Sequence, residues 1–359
     1  MDSLYCLYAF LFFLLPSIRS VFSVSGTVGV NYGRLGNDLP SPPQVVQLLK
    51  AQGITKVKLY DADSTVLSAL SGSGISVIVE LPNYQLSAAA ASQSFTDSWI
   101  QSNILPHHPN PLVEAIAVGN EVFADPQNTT PFLVPAIKNV YASLVKYGLA
   151  SSIKVISPIA LSALQTSYPP SSGSFKQDLV EPVIRPMLNF LKQTGSYLAV
   201  NAYPFLAYAA NTDKISLDYA LLRDNAARVV DPSNGLVYKS LFDAQIDAVF
   251  AAMNALGFND LKIVVSETGW PSKGDENEAG ASVANAAAYN GNLIRRVLTG
   301  AGTPLRPNDP LNVYIFALFN ENTKPGPTSE RNYGLFYPNE QKVYNIQFTA
   351  EGLAGSRTR

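Results

Sequence analysis

Residues 261–270 read LKIVVSETGW. An unbroken apolar run, Ile263–Val265, stops at Ser266 and Glu267 and gives way to a Gly-Trp-Pro turn. A strand with one wet face alternates apolar and polar residues. A continuous β-branched run of this length instead fits a strand covered on both faces, as parallel sheets require. Runs of the same kind recur along the chain: TVGVNYG from residue 27, ITKVKLYD from 54, ISVIVELP from 75 and VEAIAVGNE from 113. IKVISPI from 153, YLAVNAYP from 197 and LNVYIFALFNEN from 311 complete a set of eight. Between them lie segments with helical spacing and helix-end signals. SPPQVVQLLKAQG has a serine before early prolines and a glycine at its end. PFLVPAIKNVYASLVKYGLA, SLFDAQIDAVFAAMNALGF and SVANAAAYNGNLIRRVL carry apolar residues at helical intervals. Eight strands alternating with helices predict an α/β fold, a (β/α)8 TIM barrel forming a single catalytic domain. The alternative, an open doubly wound sheet, lacks the glycine-rich fingerprint that would follow one of its strands.

In a barrel of this type the chemistry gathers where strands end and loops begin. These strand ends are polar: Asn31 and Tyr32, Tyr60 and Asp61, Glu80 and Asn83, Asn120 and Glu121, Asn201 and Tyr203, Glu267 and Trp270, Asn320 and Glu321. Amides and acids bond hydroxyl groups, and aromatic rings cover the apolar faces of sugar rings, so the set suits a carbohydrate cleft. Glu121, after the fourth strand, and Glu267, after the seventh, are expected to face each other across the barrel mouth. Cleavage of a glycosidic bond needs one carboxyl protonated and a second ionised, so two such acids are the minimum set.

The bulk composition leaves room for this reading and closes others. Of 359 residues, 47% are hydrophobic and 14% charged, with a formal net charge of -2. That supports a large core and provides no basic field for nucleic acid. Residues 1–25 hold an apolar run, Leu4–Leu15, too short to span a bilayer and followed by small residues, and read as a secretory signal peptide, with a membrane anchor or hydrophobic N-terminal arm as the alternative. The single cysteine, Cys6, lies inside it. The domain is expected over residues 26–350, and residues 351–359 form a polar tail with no lipid-anchor signal. Asn128, in NTT, is a glycosylation acceptor sequence that fits a secreted chain. His107 and His108 are adjacent on a loop without a cysteine nearby, a poor zinc site, and no metal or cofactor is expected.

Taken in order, VNYGR, KLYDAD, AVGNE, NAYPF, SETGWPS and FNENTKPGPTSERNYGLF resemble the plant β-1,3-glucanases of glycoside hydrolase family 17, across roughly residues 26–345. The resemblance implies a retaining, double-displacement endo-hydrolase acting on β-1,3-glucans such as callose or laminarin. It implies Glu121 as general acid/base and Glu267 as nucleophile. Glu321, Lys324 and Glu330 match the family's supporting charged residues, and Asn120 matches its amide for a sugar 2-hydroxyl. Tyr203 and Trp270, and then Tyr32 and Tyr60, match cleft positions, with packing at the barrel rim as the competing reading. Lys324 is expected to hold Glu267 ionised, and burial to raise the pKa of Glu121. A β-glucan is the expected partner, in the cell wall, for a secreted monomer without a membrane anchor. A non-catalytic glucan-binding protein on the same scaffold, a structural surface protein, and a mixed-linkage 1,3-1,4-glucanase are the rival functions.

Overall fold

The computed structural model describes residues 25–350 and Gly352; residues 1–24, which hold Cys6 and nearly all of the segment expected to be a signal peptide, and nearly all of the tail lie outside the described residues. The eight expected strands all form: β1 (Val28–Asn31), β2 (Lys56–Lys58), β3 (Ser76–Leu81), β4 (Leu112–Val118), β5 (Lys154–Ile156 and Pro158–Ala160), β6 (Leu198–Asn201), β7 (Ile263–Thr268) and β8 (Asn312–Ile315). All their pairings are parallel, and β1 pairs with both β2 and β8, which brings the ends of the series together. The fifth strand differs from the single run its sequence suggests. Its first half pairs with β4 and its second with β6, so the sheet has nine segments. Pro158 has no N–H to extend the ladder, and its carbonyl accepts the N–H of Glu121 instead (2.9 Å).

Helices wrap this barrel: α1 (Pro42–Ala51), α2 (Gln93–Asn103), α3 (Thr130–Lys146), α4 (Leu241–Ala255) and α5 (Val283–Leu298), all but α2 signalled in the sequence. At the head of α1 the Gln44 carboxamide accepts the N–H (3.1 Å) and hydroxyl (2.6 Å) of Ser41. The main core lies between the outward strand faces and these helices, with Val79, Val200 and Val265 meeting residues such as Leu133, Ile246 and Leu293. Two small antiparallel hairpins, Leu164–Thr166 with Ser174–Phe175 and Val229–Val230 with Val237–Tyr238, interrupt the alternation. Segments of two or three residues carry no periodicity from which to foresee them. Among the described residues no helix is long and apolar enough to cross a membrane.

Inside the barrel a second, smaller core is built from alternate residues: Ile78, Ala115, Ala117, Ile156, Ala199, Val264 and Tyr314. Gly29 permits this packing, because a side chain there would run into the Tyr314 ring 2.6 Å away. Beneath it, Glu114 accepts from Lys56, from Ser76 (3.0 Å) and from the Tyr314 hydroxyl, closing the barrel floor. Both described ends of the chain lie on this floor side. Gly26 leads into β1 against Leu311 and Val297, and Thr349 packs at Gly53, just before β2. The opposite rim, where the strands finish, is left to the polar residues.

Candidate active site

The inward parity that places Ile78 and Ala199 in the barrel core places the next inward residues one layer higher. Lys58 is in register with Ile78 and Asn31 with Lys58. Two positions on, Glu80 follows Ile78, Asn201 follows Ala199, and Ser266 follows Val264. Strict alternation would turn Glu267 outward. The pairing of β7 slips between Val265 and Glu267, bringing Glu267 level with Asn201. This irregularity puts two successive polar residues, Ser266 and Glu267, on the mouth of the barrel. Glu121 is aimed differently. It lies just beyond β4 in the left-handed region (φ 50°, ψ 39°), two residues after Gly119 at φ 67°. Such a conformation is costly for a glutamate and persists only where neighbours fix it. The Asn83 side chain does so from one side, accepting the Asn120 N–H (2.8 Å) and donating to the Asn120 carbonyl (3.0 Å). The bond to Pro158 holds the other.

These residues face a cleft of about 690 Å³, a volume suited to a small part of a larger ligand. Glu121, Glu267, Asn120, Tyr203, Tyr60, Glu321, Lys324 and Glu330 all line it. Asn201 ties its centre together. Its amide donates to Glu121 Oε1 (2.8 Å) and Asn120 Oδ1 (3.2 Å), and its oxygen accepts the Ser266 hydroxyl (2.7 Å). Glu267 receives two donors, the Tyr203 hydroxyl on Oε2 (2.9 Å) and Lys58 Nζ on Oε1 (3.0 Å). Burial pushes the Glu121 carboxyl above its ordinary value, and the charge of Glu267 adds to this; the bond from Asn201 and the more distant Lys58 oppose it. Tyr203 is pushed well up by burial and by Glu267, and so remains a donor. One raised carboxyl beside a second that is held by an ammonium and a phenol is a workable acid and nucleophile pair.

Three expectations need restating. The ammonium against Glu267 belongs to Lys58, not Lys324. Lys324 pairs with Glu330 (2.8 Å) and lies over the Phe316 ring (4.2 Å), at the edge of the cleft. Glu321 is buried and bound to the Leu35 N–H (2.8 Å), with Gly33 so close that a side chain there would collide with the carboxylate. Trp270 and Tyr32 do not line the cleft. Trp270 is fully buried, with its indole N–H on the Gly280 carbonyl (2.9 Å) and its ring against Phe205, Tyr208 and Tyr289. Tyr32 is buried edge-on to Phe319. Trp270 still bears on the site through a chain of edge-to-face rings: Phe205, Tyr333, Tyr203 and Phe316, which reaches Tyr60. Lys58, Glu80, Asn83 and Asn201 are site residues that the sequence did not single out for roles, although the last three appear among its polar strand ends.

Residues 28–348 match the family model described as glycosyl hydrolases family 17. The chain is 45% identical over 328 residues to glucan endo-1,3-beta-glucosidase 13 of Arabidopsis thaliana, covering 91% of this chain and 64% of that relative's length. It is 46% identical over 320 residues to glucan endo-1,3-beta-glucosidase 14 of the same plant, covering 89% of this chain and 81% of the relative. Among solved structures it is similar to CJP38, a beta-1,3-glucanase and allergen of Cryptomeria japonica pollen. There the identity is 44%, the TM-score 0.86, and the match covers 90% of this chain and 99% of that one.

Proposed function

Because this chain belongs to the glycosyl hydrolases family 17, we propose that it is a retaining endo-hydrolase of internal β-1,3-glucosidic bonds in glucans of the callose or laminarin type. The observation that carries the reading is a carboxyl pair in one cleft: Glu121, raised by burial and bonded by Asn201, and Glu267, held by Lys58 and Tyr203. A glucan lies across the barrel mouth with its scissile bond between the two. Glu267 attacks the anomeric carbon while Glu121 gives its proton to the departing oxygen. Glu121, now ionised, takes a proton from water, which displaces Glu267 and releases sugar with the β-configuration kept. Asn120, bonded to the same amide as Glu121, is set to bind the 2-hydroxyl of the attacked sugar. Lys324 and Glu330 form the rim beyond the nucleophile, and Glu321 anchors the loop at Leu35. Tyr60 and Tyr203 supply aromatic lining; Trp270 supports it from behind through Phe205 and Tyr333, and Tyr32 packs on Phe319.

The test is release of reducing sugar from laminarin by the full chain and by Glu267→Gln. The variant should retain its fold by circular dichroism and lose turnover by roughly 10⁴-fold or more, the scale on which loss of a covalent nucleophile is felt. Binding of laminarin by the unaltered chain with no product would favour a glucan-binding protein instead. A comparison with mixed-linkage glucan belongs in the same assay. The same reading includes export to the cell wall and a glycan on Asn128, which is exposed on the loop leading to α3. A mobility shift of the secreted chain on removal of N-glycans, absent in Asn128→Gln, would support both.

A further inference from the structure

We propose that Glu80, a buried carboxyl behind the site, is the reserve counter-ion of Lys58 and takes over its ammonium while Glu267 is tied up as a glycosyl ester. This rests on the reading of Glu267 as the nucleophile. Lys58 is 0% exposed and sits between two carboxylates, 3.0 Å from Glu267 Oε1 and 3.7 Å from Glu80 Oε2, with its Nζ 3.8 Å from the centre of the Tyr60 ring. Glu80 is itself 5% exposed, and its Oε2 is buried without a hydrogen-bond donor. The remaining charge near it is Asp61, which follows β2 and is engaged by Arg34. Tyr60 and Tyr203 are pushed well up by burial and stay neutral.

In the free protein one ammonium meets one carboxylate, and a second buried anion would be in excess. Accordingly burial, with Glu267 and Asp61 adding to it and Lys58 opposing, pushes Glu80 up to about 8, so it is protonated at neutral pH. Glycosylation changes this count. When a Glu267 oxygen bonds the anomeric carbon, its charge is lost and Lys58 is left as a buried cation without a partner, which proteins rarely tolerate. The same event removes a negative neighbour of Glu80 and leaves its positive one. The Glu80 carboxyl then gives its proton to solvent and becomes the anion that Lys58 needs. Hydrolysis of the ester restores the Glu267 carboxylate, and Glu80 takes a proton back. Glu80 touches no substrate; it is a positioning residue that keeps the charge beneath the site constant through both chemical steps.

The experiment uses the full chain carrying Glu121→Ala, which removes the proton of the proposed acid; Glu321, raised by burial and also by Glu267, is present with and without Glu80 and so is controlled by the Glu80 variant. A 2-deoxy-2-fluoro-β-laminaribiosyl fluoride traps the glycosyl ester, and its fluoride departs as an anion without a proton. Protons released at pH 7 are read with an indicator dye, and the adduct is counted and placed by mass spectrometry. About one proton should appear per adduct, because the pKa of Glu80 falls as Glu267 is neutralised. Release should decline as pH rises through about 8, where Glu80 is already ionised before trapping. With Glu80→Gln added, release should fall close to zero. An adduct on Glu267 without proton release overturns the inference and leaves the nucleophile in place. No adduct on Glu267 overturns the nucleophile and the inference together.

Discussion

Asn201 shows how much one side chain sets at this site. Its amide favours the ionised form of Glu121, against the burial that favours the neutral form. As the proposed general acid, Glu121 must be protonated to assist the leaving group, and on that reading kcat/KM falls as pH rises through its pKa. Asn201→Ala removes the one hydrogen bond that lowers that pKa. The alkaline limb of kcat/KM should therefore move to higher pH, while kcat/KM at its optimum drops by roughly 10²-fold from lost alignment. Glu121→Ala should cost roughly 10²- to 10⁴-fold on laminarin and far less on fluoride leaving groups, which need no proton. Equal losses on both would remove Glu121 as the acid. The two glutamates could be read from sequence because each stops an apolar run. Lys58 could not. In KVKLYD it alternates with apolar residues, and the inward face of a barrel has the same period of two as a face turned to water. Only closure of the sheet tells the two apart.

At the scale of the element, most strands and long helices were legible, while the breaks within strands were not. The slip in β7 that turns Glu267 inward has no local signature in IVVSET, and the division of β5 hangs on what its two neighbours require. Trp270 follows from the same blindness: its position beside Glu267 in sequence is plain, but the turn carries its ring away from the cleft into a buried contact with Phe205. Between α2 and α3 runs a cluster of polar contacts beside the apolar ones. Asp97 accepts from Lys146 (2.7 Å) and Ser143 (2.7 Å), and from Gln93 in its own helix (3.1 Å). Lys146, Ser143 and Gln93 hold Asp97 down at about 2. Its folded pKa is below its unfolded one, so its contribution to stability is present above the ordinary carboxylate range and is lost as pH falls toward about 2. Urea denaturation between pH 6 and pH 2 should show a shallower acid loss for Asp97→Asn than for the unaltered chain.

Across the whole molecule, the barrel divides its work between two rims. The mouth concentrates acidic groups: Glu321 is pushed up by burial, with the charges of Glu267 and Glu330 adding to it and the Leu35 N–H and Lys324 opposing. The floor has Glu114 fully engaged by Lys56, Ser76 and Tyr314. Between mouth and helices lies the aromatic layer centred on Trp270. Trp270→Ala should cost about 3–5 kcal/mol in urea or thermal denaturation, the range for removing a large buried aromatic side chain. The pH profile of the surviving folded enzyme should be little changed. A large change in KM with full stability would instead mean that the ring reaches the substrate.

The placing of both described ends on the floor side has a practical outcome for anyone who handles this molecule. A tag, a carrier domain or a solid support joined close to Gly26 or Thr349 would hang from the face opposite the mouth. Held that way, the groove points outward into the medium. Long or insoluble polysaccharide could then be drawn across it sideways, with no attachment standing in its path.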